Sequence, residues 1–453
     1  MAINGLKRVL GLPEVTCIAV GCTIGGGIFV FTGIVLKIVG PALPLAYALA
    51  VIPVFLSMLP LAMLGSAIPS TGGNYKYPSR MVSPGFTFTG LWVYILATFF
   101  GQIPLYSIAC AHYVKVFFPG ANVEVFAIAL ITFFFIVNVL GVKLAAQVQG
   151  IMVILMIAAL LFFSGSGLTH FHPEYLNGFF QKGCGSLFLG VALLTFTYLG
   201  ANGIIELGGE IKNPGRVIPR AYFITFPVVT VVYLLIAFAA VGAVPWAQSA
   251  GSPEPLIAAG RTFLGSGGML FFVSCGAVLA LTTTLNALFI VGTKSLLIII
   301  SDGLLPTFLG KINRRFGTAH ILFAIIWVLS IVGILSGLSL ETFASYSALG
   351  GIIIFLPLLI AALRLPSRYP AQYAASGFKL KGFWLWFCPI VGFITIFFFC
   401  TMILADLRSP FKIGFFLLFI LSAVLYYLLR KRYLLSRGID LNELTQREDW
   451  IGQ

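Results

Sequence analysis

Apolar runs of about 20 residues, separated by short polar stretches, follow one another along the whole chain. A run of that length crosses the hydrocarbon of a bilayer as an α-helix. The pattern predicts about twelve spans, near 13–38, 42–67, 84–117, 124–142, 147–168, 187–211, 217–244, 268–300, 320–337, 341–363, 383–405 and 411–433, followed by a short polar tail. Alternating segments of about ten residues, the mark of a membrane β-barrel, are absent. The expected fold is therefore an all-α polytopic membrane protein.

Two of these runs are interrupted by glycine. "GCTIGGGIFVFTG", residues 21–33, sets Gly25, Gly26 and Gly27 in a row inside the first span. Each glycine costs a helix interior about 1 kcal/mol relative to alanine, so three together should open the backbone. In the sixth span, "LTFTYLGANGIIELGGE" places Gly200 and Gly203 around Ala201 and Asn202. Each interrupted span is the first of a block of five, and an odd block length inverts the second copy. Broken helices at matching places in two inverted halves point to the binding site of a secondary transporter. The predicted organisation is 1–168 as the first five-helix repeat, 187–363 as the second, 383–433 as two further helices, and 434–453 as a cytoplasmic tail.

Composition narrows the class. The chain has 453 residues, 60% of them hydrophobic and 9% charged, with a mean hydropathy of +1.06, which excludes a soluble globular protein. The net charge of +14 would suit nucleic acid, but the basic residues lie between apolar runs and form no patch, so no nucleic-acid partner is expected. With the N-terminus inside, 21 of the 27 Lys and Arg fall on the inner side. That asymmetry predicts a multi-pass protein of the plasma membrane, or of the inner membrane in a bacterium, with both termini cytoplasmic. The first apolar run is too long for a signal-peptide core and lacks a small-residue cleavage site. The seven cysteines show no metal-ligand spacing and read as packing residues. No HExxH or Ser/His constellation falls in the spans, so no enzyme is expected. A channel would need a continuous polar lining, whereas the polar residues gather at the two breaks.

A break at 23–27 frees amides at the start of a half-helix, a site for a carboxylate. Freed carbonyls of Thr23, Ile24 and the stretch 196–199 suit an ammonium. The pair fits the zwitterion of an amino acid.

At these residues the chain resembles the amino acid–polyamine–organocation (APC) transporter superfamily. The resemblance is carried by "GCTIGGGIFVFTG", by "GPALPLAYAL" at 40–49, by "GGEIKNPGRVIPRA" at 208–221 and by "TTTLNALFIVGTKSLLIIISDGLLP" at 282–306. It implies the five-plus-five inverted-repeat fold with two extra helices, and transport by alternating access. By position, Gly25, Gly26 and Gly27 would offer amides to the substrate carboxylate. Thr23, Ile24, Phe196, Thr197 and Leu199 would offer carbonyls to the amine, with Phe196 also a gate. Tyr198 reads equally as a packing aromatic.

Proton-linked relatives, similar through "GVKLAAQVQGIMVILM", carry a lysine in the fifth helix where this chain has Met156. Its loss makes room for sodium, with Thr283 or Thr284 as hydroxyl ligands and Thr23 nearby; a proton or no ion at all also fits. No other cofactor is expected. Glu206 is an intramembrane acid, and such residues are functional candidates. It shares a helix face with Asn202 and Glu210 and is expected to pair with Lys143 or Lys212, in a gating role, or to carry a proton. Glu210 is expected to pair with basic loop residues. Gln102, Asn286 and Tyr346 are candidates for the side-chain pocket. Asn202 stands where many relatives have an acid, which favours a neutral amino acid as substrate over a cationic one or a polyamine. An amino acid sensor with a transporter fold is the reading from another class. The run Arg430, Lys431, Arg432 is expected to anchor the last helix at headgroups.

Overall fold

The computed structural model describes residues 8, 10–115, 117–140, 142–250, 254–313, 315–407 and 409–445; the side chains of 142–151, 290, 291, 444 and 445 lie outside that description. Helices occupy the described chain, and its only β-pairings are two isolated bridges, Leu10 with Ile211 and Thr71 with Leu207. The long helices are α1 (Leu12–Val39), α2 (Leu43–Ala67), α3 (Pro84–Lys115), α4 (Val123–Leu140), α5 (Val142–Leu168) and α6 (Gly183–Glu206). They continue with α7 (Pro214–Gly242), α8 (Ser266–Ser301), α9 (His320–Leu335), α10 (Leu340–Arg368), α11 (Phe383–Asp406) and α12 (Pro410–Leu435). Among the described residues nine helical stretches are long and apolar enough to cross a membrane, the first of them running through both α1 and α2.

Proline and glycine set many of the boundaries. Pro13 opens α1 within its first turn, where its missing N–H costs nothing, and Glu14 Oε2 accepts the Gly11 N–H at 2.8 Å. Gly40, at φ 61, turns the chain from α1 into α2, a conformation that side chains with a Cβ resist. Pro214 opens α7 after Asn213, the one non-glycine residue with positive φ among those described. Helices α3 and α8 each contain a π-helical stretch, 96–102 and 272–278.

Helix α1 packs against α6, α7 and α8, and α2 against α6, α7 and α11. Helix α3 lies on α9 and α10, while α8 lies on α4 and α5; α4 meets α9. Helix α12 rests on α3 with most of its surface outward, and Phe411, Leu418 and Leu421 are exposed. Outward apolar faces of this size suit lipid, in which they cost nothing. A short helix, Gly73–Met81, lies between α2 and α3 and packs beside the end of α6.

Candidate functional site

The backbone of α1 leaves helical geometry at Gly25, with φ −30 and ψ −152. The opening is narrower than the five residues the glycine run suggests. Gly25 fits there because a Cβ would lie 1.8 Å from Thr284 Oγ1. The amide it releases does not stand open: Gly26 N–H donates to Thr284 Oγ1 at 2.9 Å. Helix α6 loosens into a 3-10 turn at Leu199–Asn202. Here Gly200 is pressed on α1, since a Cβ would come within 2.2 Å of the Cys22 carbonyl oxygen. The two breaks therefore touch, backbone against backbone.

Where they meet is a cavity of about 90 Å³, in a measure by which one water takes about 10–15 Å³. Of the residues expected to bind substrate, Thr23, Gly26, Gly27, Phe196, Thr197, Leu199 and Asn202 line it; Ile24 and Gly25 do not. Thr284 and Cys22 join the lining, while Thr283 is buried away from it. Met156 is likewise fully buried. All seven cysteines are free thiols.

The carbonyls expected to await an amine have a partner that the sequence did not suggest. Tyr233, on α7, places its hydroxyl 2.5 Å from the Thr23 carbonyl oxygen and 3.1 Å from that of Thr197. One phenol thus holds both broken helices. It is fully buried against Tyr47 and Tyr198. Tyr198 Oη donates to the Tyr47 carbonyl and does not line the cavity, so its packing role is the one present.

Asn202 Nδ2 donates to Asn74 Oδ1 at 2.8 Å, and Asn202 Oδ1 is buried without a partner among the described residues. A buried unpaired acceptor costs about 1–3 kcal/mol and marks a place for a donor. Asn74, from the short helix, also lines the cavity. Only its position after a Gly-Gly pair in "TGGNYKYPSR" hints at this.

Side-chain candidates divide. Gln102 lines the cavity beside Tyr94 and Tyr106, its Nε2 3.3 Å from the Tyr106 hydroxyl. Asn286 instead accepts from Asn138 Nδ2 at 2.8 Å, and Tyr346 donates to the Lys412 carbonyl at 2.9 Å. Both are satisfied elsewhere. Helix α10 contributes Gly351, Ile354 and Phe355 in place of Tyr346, and α8 contributes Ala287 and Leu288 in place of Asn286.

The acids also differ from expectation. Glu206 is fully buried, with Oε1 accepting from the Asn74 N–H at 2.9 Å and Oε2 from Ser295 Oγ at 3.1 Å. Lys212 is exposed and forms no pair with it, and the side chain of Lys143 lies outside the described residues. Glu210 pairs with Lys294 of α8 at 3.0 Å, a helical partner and not a loop one. Arg430 turns inward, its Nε donating to the Gly303 carbonyl at 2.9 Å. The hydroxyls of Thr23, Thr283 and Thr284 all donate to carbonyls one turn back, the usual bond of threonine in membrane helices.

A bundle with two helices broken at one buried cavity is the architecture of a secondary transporter. Residues 14–443 match the amino acid permease family, and the chain belongs to that family, within the APC superfamily of membrane transporters. It is 25% identical to the branched-chain amino acid permease BcaP of Bacillus subtilis, over 95% of this chain and 94% of that one. It is 26% identical to the methylthioribose transporter of the same organism, over 86% and 87% of the two chains. A vacuolar cationic amino acid transporter 2 of Arabidopsis thaliana is 28% identical over 68% of this chain and 52% of its own. The family is one of carriers and not of enzymes.

Proposed function

We propose that this permease carries neutral amino acids with apolar side chains by alternating access, gripping the substrate backbone between the breaks of α1 and α6. The observation behind this reading is the cavity lining. Beside the two breaks it is walled by Phe196, Leu199, Leu288, Ile354 and Phe355, and no acidic side chain lines it among the described residues. A cationic substrate would leave its side-chain charge buried and unpaired, a cost of several kcal/mol. Asn202 Oδ1 and the second lone pairs of the Thr23 and Thr197 carbonyls are the acceptors for the ammonium. The Gly27 amide, at the start of the outgoing half of α1, is the donor for the carboxylate. The full-length resemblance to a branched-chain amino acid permease points the same way.

The packing supports a twelve-span, five-plus-five inverted repeat. Exchanging each helix for the one five places away in the other repeat turns the α1–α7 contact into α6–α2, α3–α10 into α8–α5, and α3–α9 into α8–α4. The π-helical stretches in α3 and α8 obey the same rule. Both termini are assigned to the cytoplasm from the placement of basic residues.

Reconstituted liposomes loaded with unlabelled L-leucine test the substrate. External labelled leucine should accumulate by exchange, and labelled L-arginine or putrescine should not. Uptake of arginine or putrescine alone would overturn the neutral reading. Leucine binding without movement would make the protein a sensor. Repeating the exchange in sodium and in choline tests sodium at Thr284.

A further inference from the structure

Glu206 has no role in gripping the substrate, yet among the described residues it is the one acid sealed within the bundle beside the cavity. Its two oxygens are held by neutral donors from two other elements, the Asn74 N–H of the short helix and Ser295 Oγ of α8. The Gly72 N–H also bonds the Glu206 carbonyl oxygen at 3.1 Å, so the first turn of Gly73–Met81 is docked on the end of α6. The other titratable groups within reach of its charge are Lys294 on α8, Tyr77 on the short helix and Tyr94 on α3. Lys294 is engaged by Glu210, leaving Glu206 without a cation of its own among the described residues.

From this geometry we infer that Glu206 binds the proton that accompanies the substrate. The inference rests on the permease reading above. A carboxylate sealed from water with two neutral donors is costly, whereas the neutral acid is not. Ser295 accommodates both forms, because its hydroxyl donates to the carboxylate and accepts from the acid. Asn74 and Asn202, bonded to each other, connect the cavity to Glu206, and the unpaired Asn202 Oδ1 lies one turn away from it. A proton arriving from the outer side through the cavity neutralises Glu206 while it is sealed. When the end of α6 separates from the short helix and α8, Glu206 meets cytoplasmic water and ionises, and the proton leaves inward. One proton crosses with one zwitterion, moving one positive charge per cycle.

Two measurements on the full-length protein decide this. In liposomes with acid outside, the wild type should accumulate leucine about tenfold per pH unit, the equilibrium for one proton per substrate. Glu206→Gln should exchange leucine but show no accumulation driven by the gradient. Exchange without gradient-driven accumulation in the wild type would overturn the proton role and leave the permease reading standing; accumulation retained by Glu206→Gln would also overturn it. Melting without substrate is the independent arm. The melting temperature of Glu206→Gln should exceed that of the wild type increasingly as pH rises above the ordinary carboxylate range, and the gap should close in acid. A gap that does not change with pH would sink the assignment even if leucine is the wrong substrate. Ser295→Ala keeps the carboxyl and removes one donor to its charged form. In that variant the fall in melting temperature with rising pH should extend to a higher pH than in the wild type before it levels off, because the folded state then holds the neutral acid over a wider range; no shift is the contrary result.

Discussion

The two interrupted helices are broken by different means. In α1 the break is one residue, Gly25, and a side chain, Thr284, closes the gap it makes. In α6 it is a turn of four residues whose Gly200 lies against the backbone of α1. A side chain can be traded for another, but a carbonyl cannot. The first break should therefore tolerate a second-site change, and the second should not.

Five substitutions sharpen or break that contrast, beginning with the largest effect. Gly200→Ala sets a Cβ 2.2 Å from the Cys22 carbonyl oxygen, and overpacking of this kind costs about 1–3 kcal/mol or more. We expect loss of monodisperse protein on size exclusion, with no rescue by changes on α8. Gly25→Ala meets Thr284 Oγ1 and should also lower the melting temperature, but Thr284→Ala in the same chain should recover part of the loss. Equal rescue at both glycines would erase the distinction. Thr284→Val alone leaves the buried Gly26 N–H unpaired and should cost about 1–3 kcal/mol in unfolding. Tyr233→Phe removes a hydroxyl that serves both breaks and should cost about 1 kcal/mol, alongside weaker leucine binding by calorimetry. The smallest effect on stability belongs to Gly203→Ala. Gly203 lines the cavity in helical geometry, and an added Cβ meets nothing within 4 Å. Stability should rise by about 0.4–1 kcal/mol as the unfolded chain stiffens, while affinity falls more for leucine than for alanine.

Much of this was legible from local pattern. Span positions follow from apolar length, and both breaks follow from glycines that a buried helix has no reason to carry. The partners of those breaks were not legible, because they come from distant segments. Tyr233 reads as one more aromatic in an apolar run, and only the approach of α7 to both breaks gives its hydroxyl a task. Asn286 and Tyr346 looked available because a polar side chain in a span needs a partner. Each has one, in Asn138 and in the Lys412 carbonyl, that no spacing reveals. Lys212 does not partner Glu206 for a related reason: an amide of the short helix and a hydroxyl of α8, both from distant segments, hold the carboxylate.

The bridge between Leu10 and Ile211 joins the chain just before α1 to the chain just after α6, through Leu10 N–H to the Glu210 carbonyl at 3.0 Å and Lys212 N–H to the Leu10 carbonyl at 2.7 Å. The N-terminal half of α1 and the C-terminal half of α6 are thereby coupled like the panels of a single door. Thr71, bridged to Leu207, is the bolt that fastens this door to its frame. A door of one leaf swings with one rate, so fluorophores placed on either half should report the same opening kinetics.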